Sequence, residues 1–445
     1  MHSCKALLAV FAAILVLVAD PSAAQKLDVK RLRLPNGLTA LALEDRTLPS
    51  VALHIVYRVG SRNERPGLTG LSHLFEHMMF NGSAHYPPKQ FDRVIEAGGG
   101  SSNAFTTSDT TEYYEEFSSA TLDAVLRMEA DRMRALKIDR ANVEQERGIV
   151  KEERRANTDN SPEAEMWELL ENHVFRAYPY RWDTIGFMKD IDAIRVEDAR
   201  AYFATYYAPN NAVIAAVGDF DTATLFAAIR RYFGSIPRRP APRPVVQDEP
   251  VQRGEVRVAL HRPAELPAVL IGYHGVALRD PADAALDILS VLLASGESSR
   301  LYRSLVYEKQ VAAGVSADND SRMDPGLFAI FAQAQPGHTA AECEAAIYAA
   351  LEAVQRDGVT ERELRKAKNM LRVGQVGAYK TNLSRAGLLA GYEAKFGDWR
   401  RVLEVVPRYE KVTAADVQRA ARRYLTDRNR TVVTLIPEKD DAATR

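Results

Sequence analysis

Two kinds of hydrophobic pattern alternate along this chain. Short apolar runs, typical of buried strands, occupy residues 38–43, 51–59, 212–218, 268–274 and 431–436. Between them lie longer stretches in which apolar residues recur at helical spacing. This alternation predicts an α+β fold in which mixed β-sheets pack against α-helices.

A proline-rich segment divides the pattern into two halves of similar length. Residues 236–244 hold four prolines and three arginines, which suits an extended linker better than a core element. Both halves end with a helical stretch followed by a buried strand. We therefore predict two tandem homologous domains, at residues 25–236 and 251–437, joined by a linker at 237–250 and followed by a polar tail at 438–445.

The N-terminus has the pattern of a secretory signal. Lys5 precedes an apolar run at residues 6–18, and small residues follow at 22–24. This order predicts a signal peptide at residues 1–24, cleaved after Ala24, and export, most simply to a bacterial periplasm. The apolar run is shorter than the roughly 20 residues needed to span a bilayer, so we expect no stable membrane anchor.

Composition narrows the class of protein. Hydrophobic residues make up 46% of the chain and charged residues 26%, and the net charge is -1. These values are typical of a large soluble enzyme and give no electrostatic reason to expect DNA or RNA as a partner. Cys4 would leave with the signal peptide, so Cys343 can form no intramolecular disulfide and is expected to be a packing residue.

The candidate chemistry lies in the pentapeptide from His73 to His77, which reads H-x-x-E-H. The surrounding apolar residues and the following Asn81-Gly82 predict a short helix. Residues four apart on a helix lie one above the other, so both imidazoles can reach one zinc ion. Glu76 then lies beside the metal, where it can act as a base on water rather than as a ligand.

A catalytic zinc needs a third protein ligand and keeps one position open. Residues 142–155 read as a long charged helix that follows Asp139 as its N-cap. Glu146 and Glu153 fall on one face of this helix, so Glu146 can support the site without binding the metal if Glu153 is a ligand. Spacing alone does not choose between Glu152 and Glu153.

Residues 99–106 join a pair of glycines to a short strand. At the edge of a sheet, such a strand exposes unpaired backbone groups to which an extended peptide can add. Backbone pairing is insensitive to side-chain identity, so a substrate bound in this way can vary in sequence. A simple glycine-rich turn between helix and strand is the alternative interpretation.

These motifs resemble those of the pitrilysin-type, or inverzincin, zinc metallopeptidases. Residues 59–72 are similar to the family's sequence before its zinc helix, and residues 99–106 are similar to its G-G-x-x-N-A-x-T segment. In the family a glutamate about 75 residues after the second histidine completes the site, and this count identifies Glu153. The chain resembles in particular the zinc-bearing subunit of bacterial proteases like the mitochondrial processing peptidase.

The resemblance covers both halves of the chain and implies a clam-like pair of domains that forms half of a substrate chamber. It implies one Zn²⁺ ion per chain and Glu76 as the catalytic residue. The implied metal ligands are His73, His77 and Glu153. The implied substrate-binding residues, on the strand after the glycine pair, are Asn103, Ala104 and Phe105.

The second half departs from the family at one motif. Fully active relatives resemble one another in a segment R-x-x-x-x-x-x-Y, whose arginine and tyrosine hold the substrate carbonyl and the developing oxyanion. Here Tyr307 stands in the place of the arginine and Gly314 in the place of the tyrosine. Loss of such donors typically costs about 10²- to 10³-fold in turnover, so we expect the lone chain to be a poor peptidase.

We therefore predict a zinc-dependent endopeptidase that cleaves unfolded polypeptides or peptides as the metal-bearing subunit of a heterodimer. A homologous subunit would supply the missing Arg and Tyr, and a homodimer is the alternative. Two other classes of function stay open. One is a catalytically weak scaffold or peptide-binding subunit of the same fold, and the other is an unrelated zinc hydrolase with a non-peptide substrate.

Overall fold

The computed structural model describes residues 27–438. The predicted signal peptide and positions 439–445 of the predicted tail lie outside these residues. Within residues 27–438, no helix has both the length and the apolar composition needed to cross a membrane. The described chain forms two β-sheets, each packed against helices.

The first half of the described chain contains six strands and eight α-helices. The strands are β1 Lys30–Arg33, β2 Thr39–Glu44, β3 Ser50–Tyr57, β4 Ser101–Thr106, β5 Thr111–Ser118 and β6 Ala212–Gly218. The helices are α1 Leu71–Met78, α2 Gln90–Ala97, α3 Leu122–Ala135, α4 Arg140–Arg154, α5 Pro162–Val174, α6 Met188–Ala193, α7 Val196–Tyr206 and α8 Thr222–Phe233.

The second half, up to residue 438, contains five strands and six α-helices. The strands are β7 Val256–Pro263, β8 Ala268–His274, β9 Ala312–Asp320, β10 Leu327–Ala334 and β11 Arg430–Glu438. The helices are α9 Asp283–Ala294, α10 Ala340–Asp357, α11 Glu361–Gly377, α12 Asn382–Phe396, α13 Val405–Lys411 and α14 Ala414–Tyr424.

The two sheets have the same topology. The first has the order β1-β2-β6-β3-β5-β4 and the second the order β7-β11-β8-β10-β9. The order β2-β6-β3-β5-β4 of the first sheet corresponds to the whole order of the second. Strand β6 pairs in parallel with β2, strand β11 pairs in parallel with β7, and every other pairing is antiparallel. The predicted α+β class, with two similar domains that each hold a mixed sheet, is confirmed.

One face of each sheet is covered by helices of its own half. In the first half these helices bury a core that includes Leu74, Phe75 and Val150. In the second half the corresponding core includes Leu289, Ile347 and the predicted packing residue Cys343, which is fully buried. A mixed sheet whose strands carry apolar residues on both faces needs a cover on both. The opposite faces of these two sheets must therefore be covered as well.

The opposite faces are covered by an exchange of helices between the halves. Helix α5 of the first half lays Met166, Leu170 and Val174 on the second sheet. Helix α12 of the second half lays Ala386 and Leu389 on the first sheet. Each half therefore completes the hydrophobic core of the other, and the two form one interlocked body rather than two separable units.

The chain between α8 and β7 has no helix or strand, and it includes the predicted linker at residues 237–250. It is nevertheless attached to the first half near its end. The Glu249 carboxylate accepts hydrogen bonds from three successive backbone amides, those of Arg176, Ala177 and Tyr178, at 2.7 to 3.0 Å. The carboxylate thus ties the connection to the segment that follows α5.

Candidate metal centre

Helix α1 carries the pentapeptide, and its N-terminus is held by a buried carboxylate. Gly70 precedes the helix with a φ of 88°, and a Cβ there would lie 2.5 Å from the carbonyl oxygen of Ile185, so only glycine fits. Glu64 accepts hydrogen bonds from the amides of Gly70 and Ser72 at 2.8 and 2.7 Å. Burial raises the pKa of Glu64 to about 8, although these two amides act in the opposite direction.

The middle of α1 is held in place by a side chain of the first sheet. The Tyr113 hydroxyl, on β5, donates to the backbone carbonyl of Phe75 at 2.9 Å. The Phe75 ring stacks with Tyr202 and Phe203 of α7 on the other side. These contacts fix the rotation of α1 about its axis, and so decide that His73 and His77 face α4.

Helix α4 brings the acidic residues to the histidines. As predicted, it begins after Asp139, whose side chain accepts a hydrogen bond from the Asn142 amide. Glu153 Oε2 lies 3.7 Å from His73 Nε2 and 3.3 Å from His77 Nε2. Glu152 is instead paired with Arg155 at the surface. Among residues 27–438, His73, His77 and Glu153 form the one group of three such side chains whose ligand atoms lie within 4.8 Å of one another.

The donor atoms fit a tetrahedral zinc ion. Bonds of about 2.0 to 2.2 Å at tetrahedral angles place two ligand atoms roughly 3.4 Å apart. The observed separations from Glu153 Oε2 to the two imidazole nitrogens are 3.7 and 3.3 Å. Two imidazoles and one carboxylate are also the ligand set of catalytic zinc sites that leave one position for water.

The surroundings of the two imidazoles shift their pKa values in opposite directions. Burial lowers the pKa of His77, but Glu146 and Glu153 outweigh this and raise it. Burial and the neighbouring His77 lower the pKa of His73 to about 4. His73 is therefore in the neutral form that binds metal, and His77 has the carboxylate surroundings of a cation site.

Glu146 has the position predicted for a supporting residue. Its Oε2 lies 3.5 Å from His77 Nδ1, on the opposite side of the ring from Glu153. This contact orients the ring so that Nε2 faces the metal position. The His73 Nδ1 atom is buried and has no hydrogen-bond partner among the described residues.

Glu76 is held by the strand next to it. The Thr106 hydroxyl, at the end of β4, donates to Glu76 Oε2 at 2.6 Å. Burial raises the pKa of Glu76, although the Thr106 hydroxyl lowers it in part. No local pattern in the sequence indicates this role of Thr106, although the residue closes the motif at residues 99–106.

The predicted substrate-binding residues lie on β4, which is the last strand of its sheet and pairs only with β5. The edge on which the peptide-pairing interpretation depends is therefore present. The side chains of Asn103 and Phe105 are exposed, whereas Ala104 is buried in the core. Ala104 can contact a substrate only through its backbone.

The two positions at which the second half departs from the family motif lie near its own sheet edge. Tyr307 belongs to the π-helical segment Tyr302–Glu308, and 75% of its surface is exposed. Gly314 lies on β9, which is the last strand of the second sheet. Tyr307 thus puts a phenol where the motif has a guanidinium, and Gly314 offers no side-chain donor where the motif has a tyrosine hydroxyl.

Comparison with known families agrees with this fold. Residues 40–186 match the family model described as Insulinase (Peptidase family M16), and residues 193–371 match the model described as Peptidase M16 inactive domain. The boundary between the matches precedes α7, β6 and α8. Because β6 lies between β2 and β3, the structure nevertheless places these elements in the first domain.

Individual relatives match over nearly the whole chain. Zinc protease PqqE of Helicobacter pylori is 31% identical over 443 residues, which cover 98% of this chain and 99% of that protein. A zinc protease of Mycobacterium tuberculosis is 30% identical over 418 residues, which cover 92% of this chain and 93% of that protein. The chain belongs to peptidase family M16, and the resemblance to pitrilysin-type metallopeptidases is confirmed.

Solved structures show the same two-domain clam fold. A protease from Helicobacter pylori matches with a TM-score of 0.88 and 31% identity, over 92% of this chain and 99% of that chain. The periplasmic protease PqqL from Escherichia coli matches with a TM-score of 0.76 and 19% identity, over 94% of this chain but 48% of that chain. The present chain thus has the fold of about half of the latter protein.

Proposed function

We propose that this protein is a zinc-dependent endopeptidase that hydrolyses peptide bonds in unfolded polypeptides or peptides. The observation that carries the proposal is the convergence of His73, His77 and Glu153 at ligand spacing, with Glu76 beside them. A zinc ion, when bound, is a Lewis acid that lowers the pKa of water towards 7 and polarises a peptide carbonyl. The names of the relatives support this choice of metal.

Glu76 is the proposed base and acid. The Thr106 hydroxyl occupies Oε2, so Oε1 is the atom that we expect to take a proton from the attacking water. The same oxygen then delivers the proton to the nitrogen of the leaving amine. The raised pKa that burial gives this carboxyl suits a group that must both accept and release a proton.

The substrate is proposed to bind as an added strand on the free edge of β4. Thr106 links this strand directly to Glu76, so a peptide paired with β4 passes close to the proposed base. Main-chain pairing of this kind requires an extended segment, which a folded protein does not offer. This requirement is the reason for proposing unfolded polypeptides and peptides as substrates.

The experiment that tests the proposal compares two variants of the same helix. We expect Glu76→Gln to keep one zinc per chain but to lose peptide cleavage by roughly 10²- to 10⁴-fold, because only the proton carrier is removed. His77→Ala should lose the metal itself. Metal analysis of both proteins and cleavage of an unstructured fluorogenic peptide provide the measurements.

Undiminished cleavage by Glu76→Gln would contradict the proposed role of this carboxylate. Purified wild-type protein that holds no zinc would instead favour the scaffold function. That alternative has support in the second half, which matches an inactive domain and lacks the Arg/Tyr pair.

We further propose that the active form includes a homologous subunit that supplies an arginine and a tyrosine, or otherwise a second copy of this chain. Two observations support this proposal. Tyr307 and Gly314 stand where the motif has arginine and tyrosine, and the fold matches about half of the longer PqqL chain. Peptide cleavage by the chain alone should then be slower than cleavage by the co-expressed pair. Equal rates would contradict the homologous subunit and leave a second copy of this chain.

The proposed location is the bacterial periplasm. Its support is the signal-like pattern of residues 1–24 and the description of the Escherichia coli structural neighbour as periplasmic. Cell fractionation of a tagged full-length chain, with N-terminal sequencing of the exported form, tests both the location and the predicted cleavage after Ala24.

A further inference from the structure

The approach to α1 is joined to the second domain through a cluster of four side chains, here called the Arg62 cluster. Its members come from four separate parts of the chain. They are Arg62 from the turn before α1, Asp109 from the β4–β5 turn, Tyr180 from the segment after α5 and Asp324 from the β9–β10 turn. Only the last belongs to the second domain.

Asp109 is the centre of the cluster. Its Oδ1 atom lies 3.3 Å from Arg62 Nε and accepts a hydrogen bond from the Tyr180 hydroxyl at 2.7 Å. Its Oδ2 atom accepts from the backbone amide of Met323, in the second domain, at 2.9 Å. Asp109 is only 8% exposed, so both oxygens depend on these partners.

Arg62 connects this carboxylate to the second domain. Its NH1 group donates to Asp324 Oδ2 at 2.7 Å, and the Tyr178 hydroxyl donates to the same oxygen. The Asp324 amide in turn donates to the Tyr180 hydroxyl at 3.2 Å. The guanidinium thus lies between two carboxylates that come from different domains.

The β4–β5 turn is also held by the backbone of the approach to α1. The amides of Ser61 and Arg62 donate to the carbonyls of Thr107 and Ser108 at 3.2 and 3.0 Å. A Cβ on Gly60 would lie 2.3 Å from the Thr107 carbonyl, so this close approach requires glycine. The cluster therefore reaches the turn only a few residues from Thr106, the partner of Glu76.

We propose that Asp109 and Arg62 are positioning residues, which use the second domain as an anchor to hold the β4 edge in register with the metal centre. This inference rests on the proposed function, because it concerns the strand on which the peptide is proposed to bind. An edge strand that is loose in the free protein must be ordered when a peptide pairs with it, and this ordering weakens binding. The metal ligands are on other elements and keep their geometry.

The test compares Asp109→Asn with Asp45→Asn. Asp45 forms a different contact between the domains, with Arg385 of α12, and so serves as a matched control. We expect Asp109→Asn to keep its zinc, to raise KM for a peptide roughly tenfold and to change kcat by less than about threefold. Hydrogen exchange at residues 101–111 should become faster. The control should change neither KM nor this exchange.

Hydrogen exchange separates this inference from the proposed function. A wild-type protein that binds zinc but cleaves no peptide would contradict the proposed function, while hydrogen exchange would still decide the role of Asp109. Unchanged exchange and unchanged KM in Asp109→Asn would overturn the inference. If that variant does not fold, Asp324→Asn takes its place, because Asp324 is 41% exposed and tolerates the change better. The same two outcomes then apply to it.

Discussion

The two domains share one fold, but they use the same helical position differently. Helix α1 presents His73 and His77, four residues apart, to the carboxylates of α4. Helix α9, which follows the equivalent strand of the second domain, has Asp283 and Asp287 at the same spacing. These carboxylates bind structural partners: the Asn319 amide reaches both of them, at 3.2 and 2.8 Å.

The acidic pair of α9 also accepts hydrogen bonds from α13 of its own domain. Arg408 donates to Asp283 and the Tyr409 hydroxyl donates to Asp287, at 3.0 and 2.9 Å. The carboxylate of α1, Glu76, instead accepts from the Thr106 hydroxyl of β4, and lies beside the two histidines rather than in their place. The comparison shows that the fold supplies a helix with two facing positions, and that residue identity decides whether they form a candidate metal site or pack the domain.

The two domains also depend on each other for their cores. Leu170 of α5 and Leu389 of α12 are both buried, and each lies on the sheet of the other domain. We expect Leu170→Ala and Leu389→Ala each to lower the free energy of unfolding by about 2 to 5 kcal/mol, because each leaves a cavity. Urea unfolding measures the loss.

A comparable loss on both sides of the exchange would show that the two domains contribute equally to one cooperative unit. Leu289→Ala, inside the core of the second domain alone, is the matched control for the cavity itself. A loss below about 0.5 kcal/mol in either exchange variant would contradict the importance of that helix.

Glu146 tests, with a smaller expected effect, what distinguishes the histidine pair of α1 from the acidic pair of α9. It touches His77 Nδ1 without reaching the metal position. We expect Glu146→Gln to weaken zinc affinity about 10- to 100-fold, as loss of an outer partner of a ligating histidine does. Competition with a chelator measures the affinity.

The control for this prediction is Glu144→Gln, on the exposed side of the same helix. It removes the same charge two residues away and should leave zinc affinity unchanged. An equal loss of affinity in both variants would mean that Glu146 acts only through its general charge.

The smallest expected effect concerns the ion pair between Asp45 and Arg385, which joins the first domain to α12. Hydrogen bonds from the Thr47 hydroxyl and Arg385 lower the pKa of Asp45 to about 2. Since the folded state favours the ionised form, the stabilisation is present above pH 3.8 and is lost as the pH falls towards 2. At pH 7 we expect Asp45→Asn to cost less than about 1 kcal/mol, because the pair is near the surface.

Urea unfolding of the metal-free protein at pH 7, 5 and 3 measures this difference. The gap between wild type and Asp45→Asn should shrink between pH 5 and 3. A gap that widens as the pH falls would show that the pair has the opposite linkage to protons.

Local patterns predicted much of the architecture correctly. The strand at residues 268–274 was predicted with its observed bounds, and α4 begins after its predicted cap Asp139. The strand predicted at residues 51–59 instead ends at Tyr57, because the chain turns there towards the approach to α1. Periodicity and capping are properties of neighbouring residues, so a single sequence carries them.

The sequence by itself therefore determined the fold class, the helix that presents His73 and His77, and the acidic helix that faces it. Only the tertiary structure decided which surfaces meet: the exchange of α5 and α12, the hydrogen bond from Thr106 to Glu76, and the Arg62 cluster. The residues joined by the Thr106–Glu76 hydrogen bond and within the Arg62 cluster are 30 to 262 residues apart in the chain. Such contacts depend on the shape of both partners after folding, which no local pattern of either partner contains.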